Sequence, residues 1–272
     1  MNKALSKEMV KEFEKTIKIG LVATLDETSK PHITVLSTLM GKGKKEMMVG
    51  KFVEGLSKKF FVEKPKTGFL IMNTDKEFWH GTMNYSHYLK EGEDYIKYNN
   101  QPLYRYNSYF GINTVYYFKL NEISDKYHLP MANIIYNSIL TMLFKGKHKD
   151  KTNKQVMNHW TKKFTAKLDT LTFISYINDD GYPIIIPVIQ AQSESNSRIV
   201  FRNKPYKEAL LKIKKNQDIA ILAFSMTMET VLLKGKFSGF DKLGLGYLDI
   251  KQVYNAMPPV HGYIYQENET NV

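Results

Sequence analysis

The chain contains no cysteine in 272 residues, which removes disulfides, thiolate metal sites and thiol catalysis, and fits a reducing compartment. It also lacks the roughly 20 consecutive apolar residues that a membrane span requires. The most apolar stretch, residues 129–144, is interrupted by Asn133, Asn137 and Ser138. The opening MNKALSKEMVKEFEKTIK scatters charges through a helical pattern and has no apolar centre, so it reads as a helix rather than a signal peptide, and a cytoplasmic location is expected. Catalytic signatures are missing as well. The histidines show no paired spacing such as HExxH, so no metal is expected, and there is no GxSxG elbow or Walker-type loop. Gly244-Leu245-Gly246 lacks the rest of a dinucleotide fingerprint and reads as a turn.

Positive charge is what the chain has in excess. Lysine and arginine number 39 against 27 acidic residues, a net charge of +12 that concentrates anions around the surface. The lysines fall in short runs, at 42–45, 145–151 and 212–215, with no arginine-rich stripe, zinc-finger spacing or interleaved aromatic and basic motif. This pattern favours solvated faces and a phosphate-bearing small ligand, with no specific nucleic-acid partner and no membrane partner. At 43% hydrophobic and 13% aromatic composition, two domains of ordinary size can each bury a core.

The sequence says nearly the same thing twice. Displaced by 152 positions, residues 23–71 fall on residues 175–223 without a gap, matching Leu25 to Ile177, Pro31 to Pro183 and Leu70 to Leu222. A repeat this long means duplication of a whole domain rather than a solenoid. In the first copy, a helix near 7–18 leads into strands over 19–25, 32–39 and 46–50, a helix from Gly55 to about Glu63, and strands over 67–73, 78–85 and 114–120. The second copy predicts strands over 171–177, 184–189 and 198–202, a helix over 205–215, and strands over 218–224, 230–237 and 248–254. Both copies place a glycine in the fifth strand, Gly81 and Gly235. Six short strands and one helix per copy predict a mainly β protein: two tandem six-stranded antiparallel split barrels with flanking helices.

The expected organisation is a first barrel domain over 1–125, a helical connector over 126–167 and a second barrel domain over 168–272. Two segments are not duplicated. The insert 86–110 is rich in tyrosine, and with Tyr85 it suits a ligand lid or, more readily, filler at a contact surface. The connector repeats apolar residues at helical spacing, Met131, Ile134, Ile135, Ile139, Leu140 and Leu143, as core packing would require.

The stretches LVATLDETSKPHITVL, EMMVGKFVEGLSKKFFVEKPKTGFLIM, FWHGTMNYS and VYNAMPPVHGYIY resemble the FMN-binding split-barrel family related to pyridoxamine 5'-phosphate oxidase. The resemblance covers roughly residues 10–123 and 160–265. It is not to the oxidase itself, whose arginine-bearing C-terminal motif is replaced here by Gln266-Glu267-Asn268-Glu269-Thr270-Asn271-Val272. The resemblance implies FMN held non-covalently between barrels, by a homodimer or by the internal pair. It further implies an oxidoreductase passing two electrons between a reduced nicotinamide or deazaflavin donor and a small acceptor. A non-enzymatic FMN carrier, or a haem protein with His80, His87 or His261 as axial ligand, is the alternative. In this family the strand-to-helix segment, here 50–59, binds the flavin phosphate, which marks Lys51, Ser57 and Lys58. The chemistry agrees: glycines admit close approach, a helix N-terminus favours an anion, and lysine supplies the opposite charge. Ser37 and Thr38 become candidate donors to the flavin ring, and Trp79 a residue that could stack on it. The same features also read as a helix start with exposed lysines, strand hydroxyls and a core tryptophan. The second copy, Arg202-Asn203-Lys204-Pro205-Tyr206-Lys207, lacks the glycines and places a proline at the turn; it reads as structural, with a second phosphate site as the alternative.

Overall fold

The computed structural model describes residues 1–101, 111–146, 154–227, 229–255 and 261–267. Tyr104, Tyr106 and Tyr109 of the insert, and part of the late motif near Pro258, lie outside the described residues.

The first half runs α1 (Lys7–Glu14), β1 (Ile19–Leu25), β2 (Pro31–Val35), β3 (Met40–Lys42), β4 (Glu46–Lys51), α2 (Leu56–Glu63), β5 (Lys66–Met72), β6 (Glu77–Leu89), α3 (Glu93–Asn100), β7 (Thr114–Ile123) and β8 (Tyr127–His128). Two connecting helices follow, α4 (Met131–Phe144) and α5 (His159–Ala166). The second half runs β9 (Leu171–Ile177), β10 (Pro183–Pro187), β11 (Gln192–Ser193), β12 (Arg198–Arg202), α6 (Lys207–Leu210), β13 (Asp218–Phe224), β14 (Thr230–Phe240), β15 (Leu245–Asn255) and β16 (Gly262–Gln266).

The strands form two antiparallel sheets of eight with one shared plan. The first has the order β2-β1-β5-β6-β7-β4-β3, with β8 on β6, and the second has β10-β9-β13-β14-β15-β12-β11, with β16 on β15. In each sheet the two ends of the path are consecutive strands, so the ladder opens between them as a split barrel does. The duplication reaches single hydrogen bonds: Leu36 N–H donates to the Gly20 carbonyl at 2.7 Å and, 152 positions on, Val188 N–H donates to Thr172 at 2.8 Å. Gly81 and Gly235 sit beside bulges where a Cβ would run into the carbonyl oxygens of Glu122 and Asp249. Only glycine lets the two backbones approach there.

By its contacts the chain divides into two compact units. Met1–Ser29, Thr34–Leu129 and Asp179–Ile185 form one, and the remaining described residues form the other. In the first sheet, β5 is buried from Thr67 to Met72, which explains its unbroken apolar run. One face carries Val22, Val49, Phe69, Trp79 and Phe118 around Phe61 of α2. The other face, with Met40, Met48, Val115 and Tyr117, is covered by Tyr98 of α3 and by Ile112. The N-terminal helix is capped by Ser6, whose hydroxyl accepts from the Met9 amide at 3.1 Å.

The structure corrects the sequence reading in four places. The second strand ends at Val35 rather than at residue 39, because Leu36 and Leu39 bond back into a turn that contains Ser37 and Thr38. The helix expected over 205–215 shrinks to Lys207–Leu210, where Ile213 N–H turns back to the Leu210 carbonyl and Asn216 takes a left-handed φ of 65°. Each sheet gains two short strands, β3 and β8 in the first and β11 and β16 in the second, around the six expected. Finally, the connector does not pack by its apolar face. Ile134 is buried, but Ile135, Ile139 and Leu143 of α4 are exposed at 55%, 52% and 69%.

Candidate functional site

The corner between β4 and α2 gathers charge in a way the rest of the first sheet does not. Strand β4 ends at Lys51, paired across the ladder with Thr114, and the chain reaches the helix through Gly55. Gly55 is the N-cap and has no side chain to satisfy the helix amides, whereas α1 and α5 are capped by Ser6 and Asn158. The first turn of α2 holds no acidic residue. The Lys58 N–H donates to the Gly55 carbonyl at 3.1 Å, and the dipole and the Leu56 and Ser57 amides are left to an external acceptor or to water.

Ser57 and Lys58 stand in this first turn. Ser57 is 1% exposed and its Oγ has no hydrogen-bond partner among the described residues. Lys58 is 7% exposed; its backbone N–H is bonded to the Gly55 carbonyl, and among the described residues its ammonium makes neither a hydrogen bond nor an ion pair. Burial pulls its pKa down from 10.5 to about 8, with the Lys51 charge adding to the effect and Glu54 opposing it. A Cβ built on Gly55 would lie 3.4 Å from Lys58 Nζ, so the missing side chain leaves the ammonium uncovered on that side. Lys51 Nζ meets Glu54 Oε1 at 2.5 Å, and the Glu54 side chain is 78% exposed. Burial is the largest single influence on the Lys51 pKa and lowers it, but the bond and charge of Glu54 together with Tyr116 outweigh it and the net direction is upward, while Glu54 is held below the usual carboxylate range by its bond to Lys51.

Next to Lys51 the sheet presents rings. Tyr116 shares its face, interacts with the Lys51 ammonium through its hydroxyl, and is pushed upward in pKa by burial against the pull of that charge. Tyr116 packs edge-on against Phe61 at 5.0 Å and lies 6.3 Å from Tyr85 and 6.0 Å from the half-exposed Tyr88. Tyr116 and Glu54 were not among the expected site residues. Glu54 lies inside the glycine-bearing stretch and could have been read there. Tyr116 joins Lys51 only through strand register, which one sequence does not supply.

The expected residues do not all converge. Lys51, Ser57 and Lys58 come together at the corner. Thr38 is tied to it from below: its Oγ1 donates to the Gly50 carbonyl at 2.8 Å, while its own carbonyl accepts from Tyr98 Oη at 2.7 Å. Ser37 is half-buried in the same turn. Trp79 is 2% exposed and packs edge-on against Phe13 at 5.4 Å, inside the core. The histidines of the haem alternative are dispersed. His80 lies near the rings of Phe78 and Tyr127, with burial lowering its pKa to about 4, and His87 stacks on Tyr117 at 4.6 Å. No group of three or more His, Cys, Asp or Glu with metal-binding geometry occurs among the described residues.

The donor set suits a phosphate. An unpartnered buried hydroxyl, an uncapped helix N-terminus and two lysines, one at the strand end and one in the first helical turn, are the components that charge-assisted anion binding uses.

No family model matches the sequence, and no curated relative matches it. Solved structures do. An FMN-binding protein from Syntrophomonas wolfei subsp. wolfei aligns at 18% identity over 45% of this chain and 88% of its own, with a TM-score of 0.36. A candidate pyridoxamine 5'-phosphate oxidase from Lactobacillus delbrueckii aligns at 11% identity over 46% and 96%, with a TM-score of 0.36. An F420 reductase aligns at 12% identity over 44% and 98%, with a TM-score of 0.35.

Proposed function

We propose that this chain is a flavoprotein that holds FMN by its phosphate at the β4–α2 corner. Its reaction is the transfer of two electrons from a reduced nicotinamide or deazaflavin donor to a small acceptor. The observation that carries the reading is Lys58, whose side chain is largely buried and whose ammonium has no hydrogen bond or ion pair among the described residues, next to the unpartnered hydroxyl of Ser57. Burial of the side chain strips part of the ammonium's solvation, which lowers the Lys58 pKa to about 8, and a dianion set against it offsets that loss.

The division of labour follows from the side chains. Lys58 and Lys51 neutralise the phosphate, and for Lys51 the phosphate takes the place of the exposed Glu54 carboxylate. Ser57 Oγ and the first amides of α2 donate to its oxygens, and Gly55 leaves the approach open. Thr38 acts at one remove, fixing the Gly50 carbonyl and with it the strand end that carries Lys51. Tyr116 and Tyr88 offer apolar ring faces beside Lys51 for a flat aromatic group. When bound, the flavin supplies the redox chemistry, so the chain itself needs no catalytic acid or base motif.

The test is a titration of the purified protein with FMN and with riboflavin, which lacks the phosphate. FMN should bind with a clear preference and leave the protein yellow. Equal affinity for the two, or no binding of either, overturns the reading. Bleaching of the bound flavin by NADPH or a reduced deazaflavin, followed by reoxidation with an acceptor, separates an enzyme from a non-enzymatic FMN carrier.

A further inference from the structure

Helix α3 belongs to the insert that the second copy lacks, yet its buried side reaches both flanks of the β4–α2 corner. Tyr98, completely buried, donates from Oη to the Thr38 carbonyl at 2.7 Å, and Thr38 Oγ1 donates in turn to the Gly50 carbonyl at 2.8 Å. The next residue, Asn99, donates from Nδ2 to the Ile112 carbonyl at 3.0 Å on the other flank. Ile112 lies over Gly50, where a Cβ would meet its Cδ1 at 2.7 Å. Asn113 then holds the loop itself: its N–H donates to the Lys51 carbonyl at 3.0 Å and its Nδ2 to the Phe52 carbonyl at 3.2 Å. Phe52 packs on the same apolar cluster as Tyr95 and Tyr98. The strand end and loop that carry Lys51 toward Gly55 are thus tied to two adjacent residues of one helix.

The helix is held lightly for so central a place. At eight residues it is too short to persist undocked, and Tyr98 is its one fully buried side chain. Its outer moorings are polar. Asp94 meets Lys42 and accepts from the Tyr117 hydroxyl at 2.9 Å, and Lys97 meets Glu14 at 2.5 Å with side chains 41% and 39% exposed, a pair that contributes little. The second copy shows that the barrel can tie this corner without such a helix: Gln190, in the place of Thr38, reaches the Arg202 and Lys204 carbonyls with its own Nε2. In the first copy the shorter threonine reaches Gly50, and the fixing of the loop passes to a separately docked element. A relay of hydrogen bonds from a lightly docked helix to an anion site couples the two, because ordering one costs less once the other is in place.

We propose that α3 and the phosphate corner close together: docking of α3 presents Lys51 and the first turn of α2 to a phosphate monoester, and a bound phosphate holds α3 in place. Tyr98 is the positioning residue of this pair, touching no ligand and acting through Thr38. The coupling is reciprocal, so a change on the outer side of α3 reaches the corner. It rests on the flavin reading above.

Amide exchange of the full chain, combined with FMN and riboflavin titrations, tests it. In the parent, saturating FMN should slow exchange over α3 as well as over residues 51–58. Tyr98→Phe keeps the ring and deletes the hydroxyl; it should weaken FMN about fivefold, one hydrogen bond's worth, and leave riboflavin unchanged, whereas a merely structural loss would weaken both. Asp94→Ala, remote from the corner, should speed α3 exchange in the ligand-free chain, have it restored by FMN, and weaken FMN about threefold; it decides alone should Tyr98→Phe fail to fold. A parent that binds FMN while α3 exchanges at one rate with and without it overturns the coupling and leaves the flavin reading standing. So do variants that bind like the parent, or that weaken both flavins alike. A parent that binds no FMN, or binds it no better than riboflavin, overturns that reading, and the coupling falls with it.

Discussion

The β4–α2 corner and the β12–α6 corner are one stretch of chain written twice, 152 residues apart, and they have been filled in opposite ways. Where the first has Lys51, Ser57 and Lys58, the second has Asn203, Ala209 and Leu210. Leu210 is completely buried, in the place where Lys58 is 7% exposed. Thr38 is matched by Gln190, whose Nε2 donates to the carbonyls of both Arg202 and Lys204 at 2.8 Å and 2.9 Å and pins the loop. Strand pairing sets Gly246 opposite Phe201 as it sets Tyr116 opposite Val49, so the second corner has no ring at this position. Phe237 and Phe240 lie over Gly246 instead, close enough to collide with any Cβ there. The second corner thus sets a buried leucine in the place of Lys58 and ties its loop through Gln190, whose Oε1 has no hydrogen-bond partner among the described residues. The fold therefore accepts a leucine where Lys58 stands, and building the barrel does not require a buried ammonium.

The largest effect expected from this contrast is on binding. Lys58→Ala should weaken FMN by about tenfold to a hundredfold, the worth of a charge-assisted contact to phosphate. Asn203→Ala at the matching corner should leave the affinity unchanged, and titration should end at one flavin per chain. Two flavins per chain, or equal losses from both substitutions, would erase the functional difference between the corners.

Next comes stability. Lys58→Leu copies the second corner into the first and should stabilise the ligand-free chain by about 1–3 kcal/mol, since an unpaired, largely desolvated charge is exchanged for an apolar side chain. Urea unfolding midpoints measure this. A destabilised variant would mean that the ammonium already has a partner in the folded chain.

The contrast also shows what a single sequence can disclose. The gap-free repeat was legible because β1, β4 and β5 keep equal spacing in both copies, and it set Lys58 opposite Leu210 on paper. The helix start at Gly55 and the convergence of Lys51, Ser57 and Lys58 followed from local chemistry. Three features did not. Tyr116 reaches Lys51 across β4 and β7 by register, which is a long-range property. Thr38 was expected on a strand, but its segment folds back into a turn whose bonds lie 16 positions away in sequence, Leu36 to Gly20. The orientation of α4 ran against its pattern: helical spacing announced an apolar face correctly, and only tertiary contacts such as Arg202 to Asn137 decided that the polar face would be the buried one.

A smaller effect should appear with pH. Between about 8 and 10.5 an unfolded Lys58 keeps a proton that the folded one has released, so the ligand-free chain gains stability as pH rises through that window. Phosphate binding needs the charged form and runs the other way. FMN affinity should hold below about pH 8 and decline above it toward the Lys58→Ala value. Lys51 does not share the window, because its pKa is raised. A Lys58→Ala chain whose affinity declined just as steeply would move the titration to another group.

The smallest effect is the most discriminating, because its two readouts should have opposite signs. Ser57→Ala reproduces Ala209 of the second corner and deletes a hydroxyl that is buried without a partner. The ligand-free chain should lose nothing and gain up to about 1 kcal/mol, since the desolvation of an unpaired group disappears with it. FMN affinity should fall by about fivefold, one neutral donor's worth. If stability fell along with affinity, the hydroxyl would already be bonded within the folded chain, and it would not be a donor held in reserve for phosphate.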